Sequence, residues 1–388
     1  MILSEKIKAI QPSATLSITS KAKAMKAAGE DVIILAAGEP DFDTPDVIKE
    51  AAVAALKQGQ TKYTPASGTK SLKEAICSKL SKDNGLSYDI GQIVVSNGAK
   101  HSLYNALQVL CNPGDEVLVV SPYWVSYPEM VKLAGAIPVE IITKKENGFK
   151  LTAEEVKGAL TKKTRALIVN SPSNPAGVVY DKDELKEIAD ICVANDVVII
   201  SDEIYEKIIF DGKEHVSVAS LSDEIKSSTI LVNGVSKSYS MTGWRVGYMA
   251  APKEIADMVS TFQSHATSNP CSISQAAAEC ALTTDLDEEI EKNRKMFQDR
   301  RDNLIKNLSE NAKLKPFKPE GAFYLFCDVS ACGLDSLTFA KRLLEEKKVA
   351  VIHGGPFGED GFIRISFATD MDTINKGADR IKEWVDSL

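Results

Sequence analysis

The 388-residue chain is 44% hydrophobic and 26% charged with a net charge of −8, the composition of a folded globular protein long enough for two domains. Charges of both signs are scattered under an acidic balance, which argues against nucleic acid as the main partner, and no apolar run reaches the roughly 18 residues of a membrane helix. Charge at Glu5 and Lys6, where a secretory signal needs an apolar stretch, makes the cytoplasm the expected location.

In chain order, a strand is expected over 32–36, followed by a Gly/Pro/Asp-rich stretch over 38–45. Short, nearly continuous Val/Ile runs follow at 93–95, 116–120, 166–170, 197–201, 229–232 and 246–250. Such runs suit a sheet buried on both faces. Helical patterns at 99–110, 126–134 and 183–195 alternate with them, which implies an α/β fold with a mostly parallel sheet. The pattern changes after 284. A long charged helix over 285–311 leads to strands at 321–328 and 361–367 and helices at 337–347 and 371–387. The expected organisation is an N-terminal segment (1–45) packing with a small α+β domain (284–388), and a large domain (46–283) between them. Seven dispersed cysteines without metal-type pairing read as reduced, mostly buried thiols. The four histidines share no zinc-ligand spacing.

Five short stretches carry chemistry. Lys237 and Arg245 share a Gly-punctuated turn between the apolar runs at 230–232 and 246–251, where an amine lies beside a site for an anion. Ser96-Asn97-Gly98-Ala99-Lys100 joins a strand to a helix; it reads as an ordinary turn or as an anion cradle at a helix N-terminus. Asn170 to Gly177 follows a strand, where open parallel sheets bind ligands, and by itself reads first as a rigid turn. Asp202, with Tyr205 three residues on, is equally a helix cap or a ligand contact. Arg364 alternates with apolar residues in Phe362-Ile363-Arg364-Ile365, as an exposed strand charge or a carboxylate clamp. The glycine fingerprint of a nicotinamide-binding fold is missing.

Taken together and in order, these stretches resemble fold-type-I pyridoxal-phosphate aminotransferases of class I, and within them the bacterial aspartate aminotransferase subgroup. The likeness runs from Pro12-Ser13-Ala14-Thr15 to Arg364 through Ala37-Gly38-Glu39-Pro40-Asp41-Phe42, Lys62-Tyr63-Thr64-Pro65, the 121–128 and 170–177 stretches and the Lys237 block. It implies a three-layer α/β/α large domain, a smaller α+β domain, pyridoxal 5'-phosphate as cofactor, and transfer of an amino group from aspartate to 2-oxoglutarate by a ping-pong cycle. Aminotransfer from alanine or aromatic amino acids, aspartate/prephenate aminotransfer, and β-lyase chemistry are the alternatives.

The resemblance also assigns roles. Lys237 holds the cofactor aldehyde and then serves as the base. Asp202 pairs with the pyridinium nitrogen. Tyr205 and Asn174 bond the ring's phenolic oxygen, and Trp124 stacks on the ring. Gly98, Ala99, Lys100 and Arg245 hold the phosphate. Arg364 clamps the substrate carboxylate, helped by Gly38, Asn174 and Trp124. Tyr63 reaches the phosphate of a neighbouring subunit in a homodimer with shared sites. Two departures stand out. The serine that many relatives carry three residues before the lysine is Gly234 here. The region 264–275, which in the best-known relatives supplies an arginine for the side-chain carboxylate, contains no arginine or lysine. Lys100 and Thr15 occupy the places that serve that carboxylate in the bacterial subgroup, and Gln11 stands where a lysine accompanies prephenate use.

Overall fold

The valine- and isoleucine-rich runs are buried on both faces because they lie inside one sheet with helices packed against it. The computed structural model describes residues 4–388; residues 1–3 of the expected N-terminal segment lie outside them. The strands are β1 (Ile33–Ile34), β2 (Ile93–Ser96), β3 (Glu116–Ser121), β4 (Ile137–Ile142), β5 (Thr164–Asn170), β6 (Val198–Asp202), β7 (Thr229–Gly234) and β8 (Gly247–Ala250), then β9 (Lys315–Phe317), β10 (Tyr324–Asp328), β11 (Val349–Ala350), β12 (Ile352–His353) and β13 (Phe362–Ser366). A seven-stranded sheet has the order β2-β8-β7-β6-β5-β3-β4. β8 alone runs antiparallel to its neighbours; the other pairings are parallel. The mostly parallel α/β expectation therefore holds, with helices that include Ala99–Leu110, Ser126–Leu133 and Lys182–Ala194 between strands.

β4 was not expected. It is the sheet's edge, and only Ile141 of its six residues is buried, the rest being exposed or half-buried. The cysteines also depart from expectation. All are free, but only Cys192 and Cys327 are buried, and Cys271 is exposed.

The later strands form an antiparallel sheet of order β12-β13-β10-β9. β1 pairs in parallel with β11, so the N-terminal strand is stitched to the C-terminal part of the chain. Phe297, Phe323, Phe339, Phe367 and Trp384 fill the core beneath. The long helix Asp287–Leu308 owes its place to two buried arginines as well as to its apolar stripe. Arg300 grips Asp41 through two bonds of 2.7 and 2.9 Å, and Arg301 grips Asp211 at 2.8 and 2.9 Å. Bidentate pairs of this kind fix geometry as well as charge. The first anchors the 38–42 loop, where Phe42 meets the edge of Phe297 at 5.1 Å, and so sets Gly38 at the rim of the main cavity.

Candidate active site

A cavity of about 400 Å³ opens at the carboxyl ends of the parallel strands, where open α/β sheets hold their ligands. Most of the expected residues line it: Thr15, Gly38, Ala99, Lys100, Trp124, Asn174, Asp202, Tyr205, Lys237, Arg245 and Arg364. Gly98 and Tyr63 do not. Gly98 lies behind the wall and shapes it. Its φ is +88°, and a Cβ there would come within 2.5 Å of Arg245 Nη2. Only glycine lets the chain turn into the helix Ala99–Leu110 while the guanidinium sits against it. Tyr63 is 91% exposed on the outer surface.

Asp202 ends β6 and is buried. No helix follows it, so it is not a helix cap. Its Oδ2 accepts from the Tyr127 hydroxyl at 2.6 Å and its Oδ1 from the Ile204 amide at 3.3 Å. Burial pushes its pKa up to about 6 against those two bonds. Keeping the group charged there costs about 3 kcal/mol, taking ~1.4 kcal/mol per tenfold displacement.

Lys237 follows β7. Its Nζ donates to the Gly38 carbonyl at 2.6 Å and lies 5.7 and 5.6 Å from the ring centres of Tyr205 and Phe323. Burial, with Arg364 and Arg245 nearby, lowers its pKa to about 8, although Glu39 and Asp202 pull the other way. A lysine near neutrality is a usable base or nucleophile. Gly234 has no room for the absent serine, because a Cβ would lie 2.8 Å from Gly247 Cα. Ser236, adjacent to Lys237, does line the cavity.

Arg245 sits in the left-handed region at φ +55°, a strained place for a residue with a side chain. Among the described residues its guanidinium donates only to main-chain oxygens, Thr242 at 2.9 Å and Asn97 at 3.3 Å. Beside it the helix Ala99–Leu110 presents the amides of Ala99 and Lys100, while those of His101 and Ser102 bond the Gly98 carbonyl at 2.9 and 3.3 Å and the Gly98 amide bonds the Ser96 carbonyl at 2.7 Å. Lys100 Nζ stands 4.6 Å from the Trp124 ring centre, and burial and Arg245 lower its pKa.

Arg364 is 2% exposed. The strand-charge reading fails because β13 is covered on both faces. Its Nη1 donates to Asn174 Oδ1 and its Nη2 to the Ala36 carbonyl, both at 3.0 Å. Its Nε has no partner, and no carboxylate pairs with it among the described residues. A buried cation left in this state is poised for an anion. Thr15 bonds Ser13 at 2.9 Å at the start of the helix Ala14–Ala27, over the mouth of the cavity.

Two residues with contacts at the site carried no assigned role from sequence. Tyr127 holds Asp202 and lies in the quoted 121–128 stretch. Tyr324 lies inside an expected strand and meets Tyr205 hydroxyl to hydroxyl at 2.9 Å. Nothing local in the sequence marks either contact.

A mostly parallel sheet thus carries at its carboxyl edge a lysine, a buried aspartate and two arginines without a carboxylate partner among the described residues, the chemistry of a site for an anionic ligand. Residues 30–381 match the family model for class I and II aminotransferases. The chain is 50% identical over 389 residues to an aspartate aminotransferase of Bacillus sp. (strain YM-2), covering 99% of both chains. It is 46% identical to a probable aspartate/prephenate aminotransferase of Aquifex aeolicus, covering 100% of this chain and 99% of the other. The structure of a Thermus thermophilus aspartate aminotransferase with maleate superposes with a TM-score of 0.95 at 42% identity, covering 99% of each chain. The chain belongs to the class I and II aminotransferases, and its cofactor is pyridoxal phosphate.

The cavity fits that group. A phosphate needs anion donors, and Arg245 and the amides of Ala99 and Lys100 offer them without a carboxylate partner among the described residues. A protonated ring nitrogen needs a buried anion, and Asp202 makes no ion pair among the described residues, Lys237 acting on it only weakly. An aldehyde needs an amine of lowered pKa, which Lys237 supplies.

Proposed function

We propose that the enzyme transfers the amino group of aspartate to 2-oxoglutarate in a two-step, ping-pong cycle. The observation that carries this reading is the convergence of four ionisable groups, Asp202, Lys237, Arg245 and Arg364, on one cavity without full counter-charges from the chain. The relatives named aspartate aminotransferase supply the substrate.

When bound, the cofactor supplies an aldehyde that takes up amines and a ring that accepts electrons. Arg245, Lys100 and the amides of Ala99 and Lys100, which Gly98 turns toward it, would hold its phosphate, Asp202 its ring nitrogen, Tyr205 and Asn174 its phenolic oxygen, and Trp124 its face. Tyr127 keeps Asp202 oriented. Arg364 binds the substrate α-carboxylate, with the Gly38 main chain and Asn174 completing the pocket. Lys237 Nζ removes and returns the proton at the substrate Cα, a role its pKa of about 8 suits. Lys100 and Thr15 meet the side-chain carboxylate.

The site is completed by a second copy of the chain. Tyr63, largely exposed and absent from the lining of its own cavity, is read as reaching the partner's phosphate. The division at 45/46 and 283/284 fits the pairing of β1 with β11, which carries the N-terminal segment to the small domain. A cytoplasmic location suits seven free thiols.

The test is a half-reaction. Holoenzyme mixed with aspartate, alanine or phenylalanine and no keto acid should lose its cofactor absorption band fastest with aspartate. No change with aspartate, or a faster change with any of the others, overturns the assignment.

A further inference from the structure

Arg364 and Tyr205 stand on different parts of the chain, one on β13 and the other after β6, yet one side chain touches both. Tyr324 begins β10, which pairs antiparallel with β13; Phe326 lies opposite Arg364 and Tyr324 opposite Ser366. The two-residue repeat of a strand therefore puts Tyr324 diagonal to Arg364 on the same face. The Tyr324 ring centre is 4.2 Å from Arg364 Cζ, nearer than Phe357 at 5.3 Å. A ring face at this distance steadies a buried guanidinium without neutralising it. That leaves the charge, and the unpartnered Nε, for an incoming carboxylate.

The hydroxyl end does different work. Tyr324 and Tyr205 are both buried, and their hydroxyls are 2.9 Å apart with either able to donate. Burial keeps both phenols protonated. Two protons then serve one O···O contact, so one is left over. If Tyr324 donates, the Tyr205 proton is free to turn into the cavity, within the set of groups around Lys237.

We infer that Tyr324 is a positioning residue: its ring seats Arg364 and its hydroxyl donates to that of Tyr205, so a single side chain sets both the carboxylate clamp and the phenol beside Lys237. The inference rests on the proposed transamination, since it names what those two groups are set for.

Two substitutions separate the ring from the hydroxyl. Tyr324→Phe keeps the ring in the core; Tyr324→Leu removes both. In Tyr324→Phe holoenzyme, kcat with aspartate should fall by about 10-fold with KM within about twofold, the scale of one buried hydrogen bond. The pH midpoint of the bound cofactor's absorption should move by at least about half a unit, because Tyr205 is reoriented. Tyr205→Phe should shift it the same way, and the double variant Tyr205→Phe/Tyr324→Phe no further. Tyr324→Leu should in addition raise KM for aspartate by about 10-fold. Apoenzyme binding of pyridoxamine phosphate, measured by calorimetry, should weaken in Tyr324→Phe as it does in Tyr205→Phe. A wild-type midpoint in Tyr324→Phe, or shifts that add in the double variant, overturns the inference. The midpoint and the calorimetry need only the cofactor, so they judge Tyr324 even if aspartate proves not to be the substrate.

Discussion

Asp202 and Glu203 are buried neighbours at the end of one strand, and the chain answers their charges differently. Glu203 faces away from the cavity and is fully answered. Its Oε1 accepts from Ser201, Ser217 and the Val218 amide at 2.8, 2.9 and 3.3 Å, and its Oε2 meets His215 at 2.9 Å. Glu206 beside it pairs with Lys79 and accepts from Asn84 at 3.1 Å. Burial alone would raise its pKa, but Lys79 and His215 overcome that and hold it at about 2. Asp202 has a tyrosine and one amide, and rises to about 6. The arginines repeat the contrast: Arg300 and Arg301 have carboxylates, and Arg364 has none among the described residues. Where the chain supplies its own counter-charge the network is structural; where it withholds one, a ligand is expected to supply it.

The largest break of this comparison is Lys237→Ala. Transamination should fall by more than about 10⁴-fold, because both attachment and proton transfer use this amine, while circular dichroism and the melting curve stay as in wild type. Retained steady-state turnover would show that the unanswered charges are not the machinery. Lys79→Met attacks the other side. It strands Glu206 as a buried anion, which typically costs about 3–5 kcal/mol in urea unfolding, with kcat nearly unchanged. The pH dependence has a definite sign. The Glu206 contribution is present above its ordinary value of 4.5 and is lost as pH falls toward 2. The deficit of Lys79→Met should therefore shrink over that window. A kcat loss as large as that of an Asp202 variant would dissolve the distinction between the two regions.

Much of this was legible in the residues. Val/Ile runs marked the central strands, since a strand buried on both faces has no polar face to show. β4 escaped because Ile137, Pro138, Val139 and Glu140 form a half-exposed edge. The turns bearing Lys237, Asn174 and Asp202 stood out as motifs. Arg364 was ambiguous, because alternation on a strand implies a wet face, and only the three-dimensional packing of β13 shows that both faces are dry. The contacts that set the site were not legible. Tyr127 meets Asp202 across 75 residues and Tyr324 meets Tyr205 across 119, and no local pattern encodes such a meeting.

Asp202→Asn sharpens the comparison, because it should separate function from stability. The folded pKa of Asp202 lies above its ordinary 3.8, near 6. The protonated form is thus favoured by folding, and the cost of carrying the charge is absent below about pH 3.8 and complete above pH 6. Apoenzyme with asparagine at this position should be more stable than wild type at pH 7.5, by up to about 3 kcal/mol, and equal to it near pH 3.5. Its transamination rate should fall by about 100-fold with the electron demand of the ring. Unfolding curves at the two pH values check the first claim and single-turnover rates the second. Loss of stability at pH 7.5 would mean that the Tyr127 bond, not the missing counter-charge, dominates this carboxylate.

The smallest expected effect tests how far the unanswered charge extends. Lys100 lies at the mouth of the cavity, over Trp124 and next to Arg245. If it only helps to hold phosphate, Lys100→Ala weakens every substrate alike through the cofactor. If it meets the second carboxylate of a dicarboxylic substrate, the loss is selective, since alanine has nothing there to bind. We expect KM for aspartate to rise by about 10-fold more than KM for alanine, the weight of one solvent-screened charge contact. Equal increases for both would confine Lys100 to the phosphate and leave Thr15, across the mouth, as the nearer candidate for the side-chain carboxylate.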